Sequence, residues 1–163
     1  LSQDHNIIIK LHGFGWEQKK YQYQNSLCSE LSKKSNSIHL LQNEDYDIIP
    51  YYLSADMLIS DISSTLFEYL PMDRPIIQAQ CYNLKLKHRI FKKRFWKKMD
   101  IDRQDNVDFA YQIVEPDDIL GMVYYAMNNH DEMSTKRKEA TEHYLYKVDG
   151  NASSRLIDAI EAY

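Results

Sequence analysis

Residues Ala55 to Leu70 read ADMLISDISSTLFEYL, and their pattern decides the fold. Met57-Leu58-Ile59 is a short apolar run of the kind that forms a buried strand. It enters a polar turn, Ser60-Asp61-Ile62-Ser63-Ser64, built from residues that cap helices. An amphipathic helix is expected to open at Ser63 and run to about Met72. The first turn of a helix carries unpaired backbone N–H groups, and hydroxyls beside them make a place ready for an anion. Glu68 follows Ser64 by one helical turn, so both side chains project from one face roughly 6 Å apart. A phosphate at the helix start and two sugar hydroxyls at the carboxylate fit that layout. It is the grip expected for a nucleoside diphosphate; the plain alternative is a well-capped helix, since Ser and Asp are standard N-cap residues.

The same alternation extends in both directions. Asn6 to Leu11 is a β-branched run ending at His12-Gly13, a strand followed by a loop. Glu17 to Lys34 is compatible with helix, with Leu27, Cys28 and Leu31 as its expected inner face. Ser35-Asn36-Ser37 breaks it, Ile38 to Leu41 reads as a second strand, and Ile48 to Ala55 as a short helix. Beyond the opening stretch, Pro75 to Ala79 and Tyr111 to Val114 read as strands. Glu115-Pro116-Asp117-Asp118 starts a helix with proline and acids in its first turn, as the helix dipole favours. Helical patterns from Asp131 to Tyr146 and from Ala152 to Ala162 flank a break at Asp149-Gly150. Strands alternating with helices predict an α/β fold, a Rossmann-like parallel sheet with helices on both faces. The Met57 to Ser60 strand is expected near the sheet centre, between the Ile7 and Ile76 strands. Ligands in such sheets bind beyond the carboxyl ends of the strands. His12, Asp61 and the loop from Gln80 all fall there.

Composition narrows the function classes. The chain has 163 residues, 44% of them hydrophobic, with thirteen tyrosines, enough for one domain with a sizeable core rather than a disordered segment. We therefore expect residues 1–163 to form a single nucleotide-binding domain. No apolar run approaches the roughly 18 residues of a membrane span, and LSQDHN is not a signal sequence. A chain that opens on Leu1 and enters a strand almost at once reads as a piece of a longer protein. Cys28 and Cys81 lack any zinc-type spacing, and free thiols in a reducing cytosol are expected. None of the six histidines lies in an HExxH motif, so no metal is expected. Four glycines in all leave no dinucleotide fingerprint.

Lys85 to Lys98, KLKHRIFKKRFWKK, holds eight of the twenty Lys and Arg residues, leaving twelve against twenty-four acidic residues elsewhere. An acidic body with one basic segment points to a local anionic partner and not to nucleic acid. The segment reads either as a solvated amphipathic helix with Leu84, Phe91 and Phe95 on the sheet, or as a contact for an anionic membrane or polymer with Phe95 and Trp96 at the interface.

Read together, these motifs resemble a known family. Lys10-Leu11-His12-Gly13, the run from Ala55 to Ser64, Glu68, Asp73-Arg74-Pro75-Ile76-Ile77 and Asp149-Gly150-Asn151-Ala152-Ser153-Ser154-Arg155 are similar, in order and spacing, to motifs of the CDP-glycerol glycerophosphotransferases. These are teichoic-acid-type polymerases and primases with a GT-B fold. Gly13 stands where that family usually has proline. The resemblance implies the C-terminal, nucleotide-binding GT-B half, facing a cleft whose other wall is an N-terminal half. It implies transfer of glycerol phosphate or a related polyol phosphate from a CDP donor to an acceptor hydroxyl on a lipid-linked primer or polymer. His12 is then the catalytic residue. Lys10, Gly13, Ser60, Asp61, Ser63, Ser64 and Glu68 bind the donor, with no cofactor and no metal. A base on the other half is implied, so this piece alone should bind weakly and catalyse nothing. The implied location is the cytoplasm, at the inner face of a bacterial cell membrane. The alternative on the same frame is a sugar-nucleotide glycosyltransferase or a UDP-sugar 2-epimerase. The epimerase phosphate loop, however, carries glycines that Ser63-Ser64-Thr65 lacks. A third reading is a non-enzymatic docking module.

Overall fold

A computed structural model describes residues 4–61, 63–81 and 107–162. The chain divides into two compact units, Leu1–Ser54 and Ala55–Tyr163. The fold is α/β and Rossmann-like: five strands, every pairing parallel, and seven helices among the described residues.

In the first unit, β1 (Ile7–Ile9) pairs with β2 (Ile38–Leu40) in the register Ile7↔Ile38 and Ile9↔Leu40. Ile7, Ile9, Ile38 and Leu40 are half-buried while Ile8 and His39 face solvent, the period-two pattern of a sheet buried on one side. The loop expected after His12 holds a short helix, α1 (Gly13–Glu17), and the single helix predicted from Glu17 to Lys34 arrives as a 3-10 turn (Lys19–Tyr21) and α2 (Gln22–Lys34). Its expected inner face is corrected. Cys28 is half-buried, but Leu27 and Leu31 are exposed, and no residue of α2 is buried. The short α3 (Ile49–Ser54) buries Tyr52.

In the second unit, β3 (Leu58–Ser60), β4 (Ile76–Ala79) and β5 (Tyr111–Ile113) form a sheet in that order. β4 takes the central place, and Ile76, Ile77 and Gln78 are fully buried, as a strand covered on both faces requires. β3 pairs with β4 as expected, Leu58 opposite Ile76 and Ser60 opposite Gln78. The Ile7 strand, expected beside β3, instead makes its ladder with β2 in the first unit.

The helix expected from Ser63 to Met72 is shorter than its pattern. It is α4 (Thr65–Glu68), followed by a 3-10 turn over Leu70–Met72. Pro71 is the cause: it has no N–H for the carbonyl of Phe67, and its ring would strike that carbonyl in a continued helix. Asp73 ends the turn in the left-handed region at φ 47°. Pro116–Asp118 form a 3-10 turn into α5 (Ile119–Asn128), and α6 (Ser134–Leu145) and α7 (Ala152–Glu161) complete the unit. Leu66, Tyr69, Leu70, Phe109, Ile113, Val123, Ala126 and Ala140 make the core. Phe67 meets Phe109 and Tyr144 edge-on at 5.5 and 4.8 Å between centroids, a favoured aromatic geometry. The Lys85 to Lys98 segment lies outside the described residues.

Candidate functional site

The sequence-predicted residues fall into one group per unit. In the first, Lys10, His12 and Gly13 follow β1. Lys10 is exposed and its ammonium donates to the backbone carbonyl of Asp45. Asp45 in turn accepts from the Gln42 N–H at 2.8 Å, so Lys10 braces the loop after β2. His12 is exposed and in extended conformation, φ −60° and ψ 147°, at the N-cap of α1. Its Nδ1 accepts from the Phe14 N–H at 3.1 Å, which leaves Nε2 as the ring nitrogen turned away from the backbone. A Cβ on Gly13 would meet no atom within 4 Å, so the glycine leaves open space beside His12.

In the second unit, the turn after β3 gathers four hydroxyls. The Ser60 and Thr65 side-chain oxygens pair at 3.0 Å. The Ser63 hydroxyl accepts from the Thr65 N–H at 3.4 Å. Ser64 is the N-cap residue of α4, exposed, and makes no side-chain capping bond. Asp61 is exposed at the start of the turn. The Ser64 carbonyl accepts from the Phe67 and Glu68 N–H groups at 2.9 and 3.0 Å. The helical spacing between Ser64 and the exposed Glu68 is therefore the one the sequence implied.

This βα unit is closed behind the turn. The Tyr69 hydroxyl donates to the carbonyl of Ala55 at 2.6 Å, and an Arg74 guanidinium N–H donates to the same oxygen at 2.5 Å. Burial raises the Tyr69 pKa, and Arg74 opposes that rise without cancelling it. Tyr69 therefore stays a neutral donor at physiological pH.

Sequence reasoning missed Thr65 as the partner of Ser60, because a hydroxyl five residues on has no periodic signature. It missed Gln78 as well. This residue is fully buried at the register of Ser60, its Oε1 accepts from Gln80 Nε2 at 3.0 Å, and its own Nε2 has no partner among the described residues. The alternation of β4 gave no hint of a buried amide. Among the described residues no group of three His, Cys, Asp or Glu could hold a metal ion.

Comparison with known proteins gives these features a context. Over 118 residues the chain is 22% identical to the minor teichoic acid biosynthesis protein GgaB of Bacillus subtilis (strain 168). That alignment takes 72% of this chain and 12% of the relative, so the chain spans a small part of that protein's length. No solved structure matches. The family described as CDP-Glycerol:Poly(glycerophosphate) glycerophosphotransferase matches residues 1–162, a span that includes the His12 loop, the hydroxyl turn, Glu68 and the Asp149 to Arg155 motif. The chain belongs to the CDP-glycerol:poly(glycerophosphate) glycerophosphotransferase family.

Proposed function

We propose that this chain is the nucleotide-binding half, of GT-B type, of a transferase acting in cell-wall or capsule polymer synthesis. It moves glycerol phosphate, or a related polyol phosphate, from a CDP-linked donor to the hydroxyl of a lipid-linked or polymeric acceptor. The family match across residues 1–162 carries this reading. The hydroxyl turn that leads into α4, with Glu68 one helical turn on, supports it.

In the reaction, the acceptor oxygen attacks the phosphorus that bears the polyol. A new P–O bond forms, the bridging P–O bond of the diphosphate breaks, and CMP leaves with the bridging oxygen. The acceptor proton goes to a base outside this chain. Little covalent work falls to the protein, so positioning and charge neutralisation dominate. Ser63 and Ser64 are assigned to the diphosphate, and Lys10 is assigned to donor binding by its match to the family motif. Ser60 and Asp61 shape the turn, Gly13 leaves open space beside His12, and Glu68 accepts from the ribose hydroxyls. His12 is assigned to the departing phosphate, which an imidazole can hold or protonate. In this reading no metal or cofactor takes part.

The protein works at the inner face of the cell membrane, with the Lys85 to Lys98 segment at the lipid surface. No described helix is long and apolar enough to cross a membrane.

Thermal shift of the full-length protein with CDP, CMP, UDP and UDP-GlcNAc tests the reading. CDP at a hundred times its Kd should stabilise by about 2.7 kcal/mol, with no response to UDP or UDP-GlcNAc. A UDP-sugar response would move the assignment to a glycosyltransferase or epimerase. Silence toward all four would remove the nucleotide site.

A further inference from the structure

The motif Asp149 to Arg155 takes no part in the chemistry above, yet its side chains close on one another and on the backbone beside them. The Asp149 carboxylate accepts from the Asn151 N–H at 3.0 Å and from Arg155 Nη1 at 2.8 and 2.9 Å. Arg155 also donates to the Lys147 carbonyl at 3.4 Å, and its guanidinium lies 5.7 Å from the Tyr146 ring centroid, over the ring. Gly150 turns the chain at φ 73° between the two partners, a conformation that costs little without a Cβ.

Just before this clasp, Tyr146 caps α6 at φ 60° and ψ −92°. For a bulky residue that is a rare, strained γ-turn geometry. Just after it runs α7, where no residue is buried: Leu156, Ile157 and Ile160 are 63, 54 and 65% exposed. Burial in a core therefore does not hold α7 in place. A strained hinge precedes it, and a charged clasp fixes its first turn.

We propose that Tyr146 to Arg155 form a latched hinge on which α7 swings as a strap. With the Asp149–Arg155 pair closed, α7 leaves α6 in the direction seen here. With the pair open, the strain at Tyr146 favours a different backbone path, and the helix is released as a unit. An exposed pair of this kind is weak and screened by salt, so the latch opens readily. That is the property of a moving part rather than of a structural staple. The device is independent of which nucleotide the unit binds.

Hydrogen exchange measured by mass spectrometry on the full-length protein tests this. In the wild type, amides 152–161 should be protected at low salt and exchange several-fold faster in molar salt. Arg155→Gln and Asp149→Asn should each speed their exchange several-fold, as molar salt does in the wild type, and abolish the salt response. Peptides from α5 and α6 should be unchanged. The double variant should match either single one, because both remove the same pair. An α7 unprotected in the wild type, unaffected by either substitution, or showing additive effects in the double variant would overturn the latch. So would faster exchange spread equally over α5, α6 and α7, which would make the pair a general support of the fold.

Discussion

At the scale of single residues, the two nitrogens of His12 have different assignments. Nδ1 caps α1 by accepting from Phe14, and the proposed function gives Nε2 to the ligand. A simple truncation therefore confounds two losses, since removing an N-cap acceptor costs about 0.5–2 kcal/mol by itself. Asparagine is a good N-cap residue and separates them. In the full-length enzyme, His12→Asn should lower kcat by about 10², the scale of a positioned acid or base, with Tm nearly unchanged. His12→Ala should lose the same turnover and also melt a few degrees lower. Equal kinetic parameters for wild type and His12→Asn would reduce His12 to a cap. Glu68 separates binding from chemistry in a different way. It lies one helical turn beyond Ser64 and is assigned to ribose, remote from the reacting phosphorus, so it holds ground and transition states alike. Glu68→Ala should raise the KM for the CDP donor more than it lowers kcat. An unchanged donor KM would reject the assignment.

At the scale of elements, the turn between α4 and β4 is held from outside by α6. Asp73, in its left-handed conformation, accepts from Ser134 Oγ at 2.7 Å and Arg137 Nε at 2.9 Å, and Lys138 Nζ lies 3.2 Å away. Arg137 is 1% exposed and also donates to the carbonyls of Asp73 and His130. Partial burial pushes the Asp73 carboxyl up, but the hydrogen bonds from Ser134, Lys138 and Arg137 outweigh it and the net pKa is lowered. A carboxylate whose folded pKa is depressed contributes stability that is present above its unfolded pKa and lost as pH falls through the folded value. Acid unfolding monitored below about pH 4 should therefore be less steep in Asp73→Asn than in the wild type; identical acid limbs would remove Asp73 from the linkage. Arg137→Ala should cost roughly 3 kcal/mol, the low end for breaking a buried pair because Asp73 keeps solvent contact. Urea melts giving less than about 1 kcal/mol would show the clamp to be unimportant. The sequence carried the elements here but not their fastening. Arg74-Pro75 announced a strand, and the apolar run Ile76-Ile77 told of a buried one. That Arg137 would be drawn inside by an aspartate in a distant turn has no local signature, because the pair exists only once β4 and α6 are packed. Pro71 was in plain view, and its effect on the helix after Ser63 was legible but outweighed by the hydrophobic period. Leu27 and Leu31 failed differently: their spacing marks an apolar face, and spacing cannot say whether anything covers it.

At the scale of the whole molecule, the charge distribution carries a prediction that net charge conceals. With a formal charge of −4, a uniformly charged protein would be repelled by an anionic bilayer. Here eight basic residues fall between Lys85 and Lys98, with no acid among them, while the rest of the chain has twelve basic and twenty-four acidic residues. Screening at physiological salt reduces interactions beyond about 8 Å, so local charge in the sequence counts for more at a membrane than the net charge of the chain. Basic residues near an anionic surface are worth about 1 kcal/mol each, and Phe91, Phe95 and Trp96 are interleaved with them in the sequence. The full-length protein should sediment with vesicles of mixed phosphatidylglycerol and phosphatidylcholine, but not with phosphatidylcholine alone, and molar salt should release much of it. Replacing Lys92, Lys93 and Arg94 together by glutamine removes three of the eight charges. It should weaken binding at least tenfold without altering the Tm shift produced by CDP, because the nucleotide is assigned to residues elsewhere. Undiminished sedimentation of that variant would place membrane attachment in another part of the protein. A parallel loss of the CDP response would instead tie the segment to the nucleotide site, with its positive charge serving the donor and not the lipid.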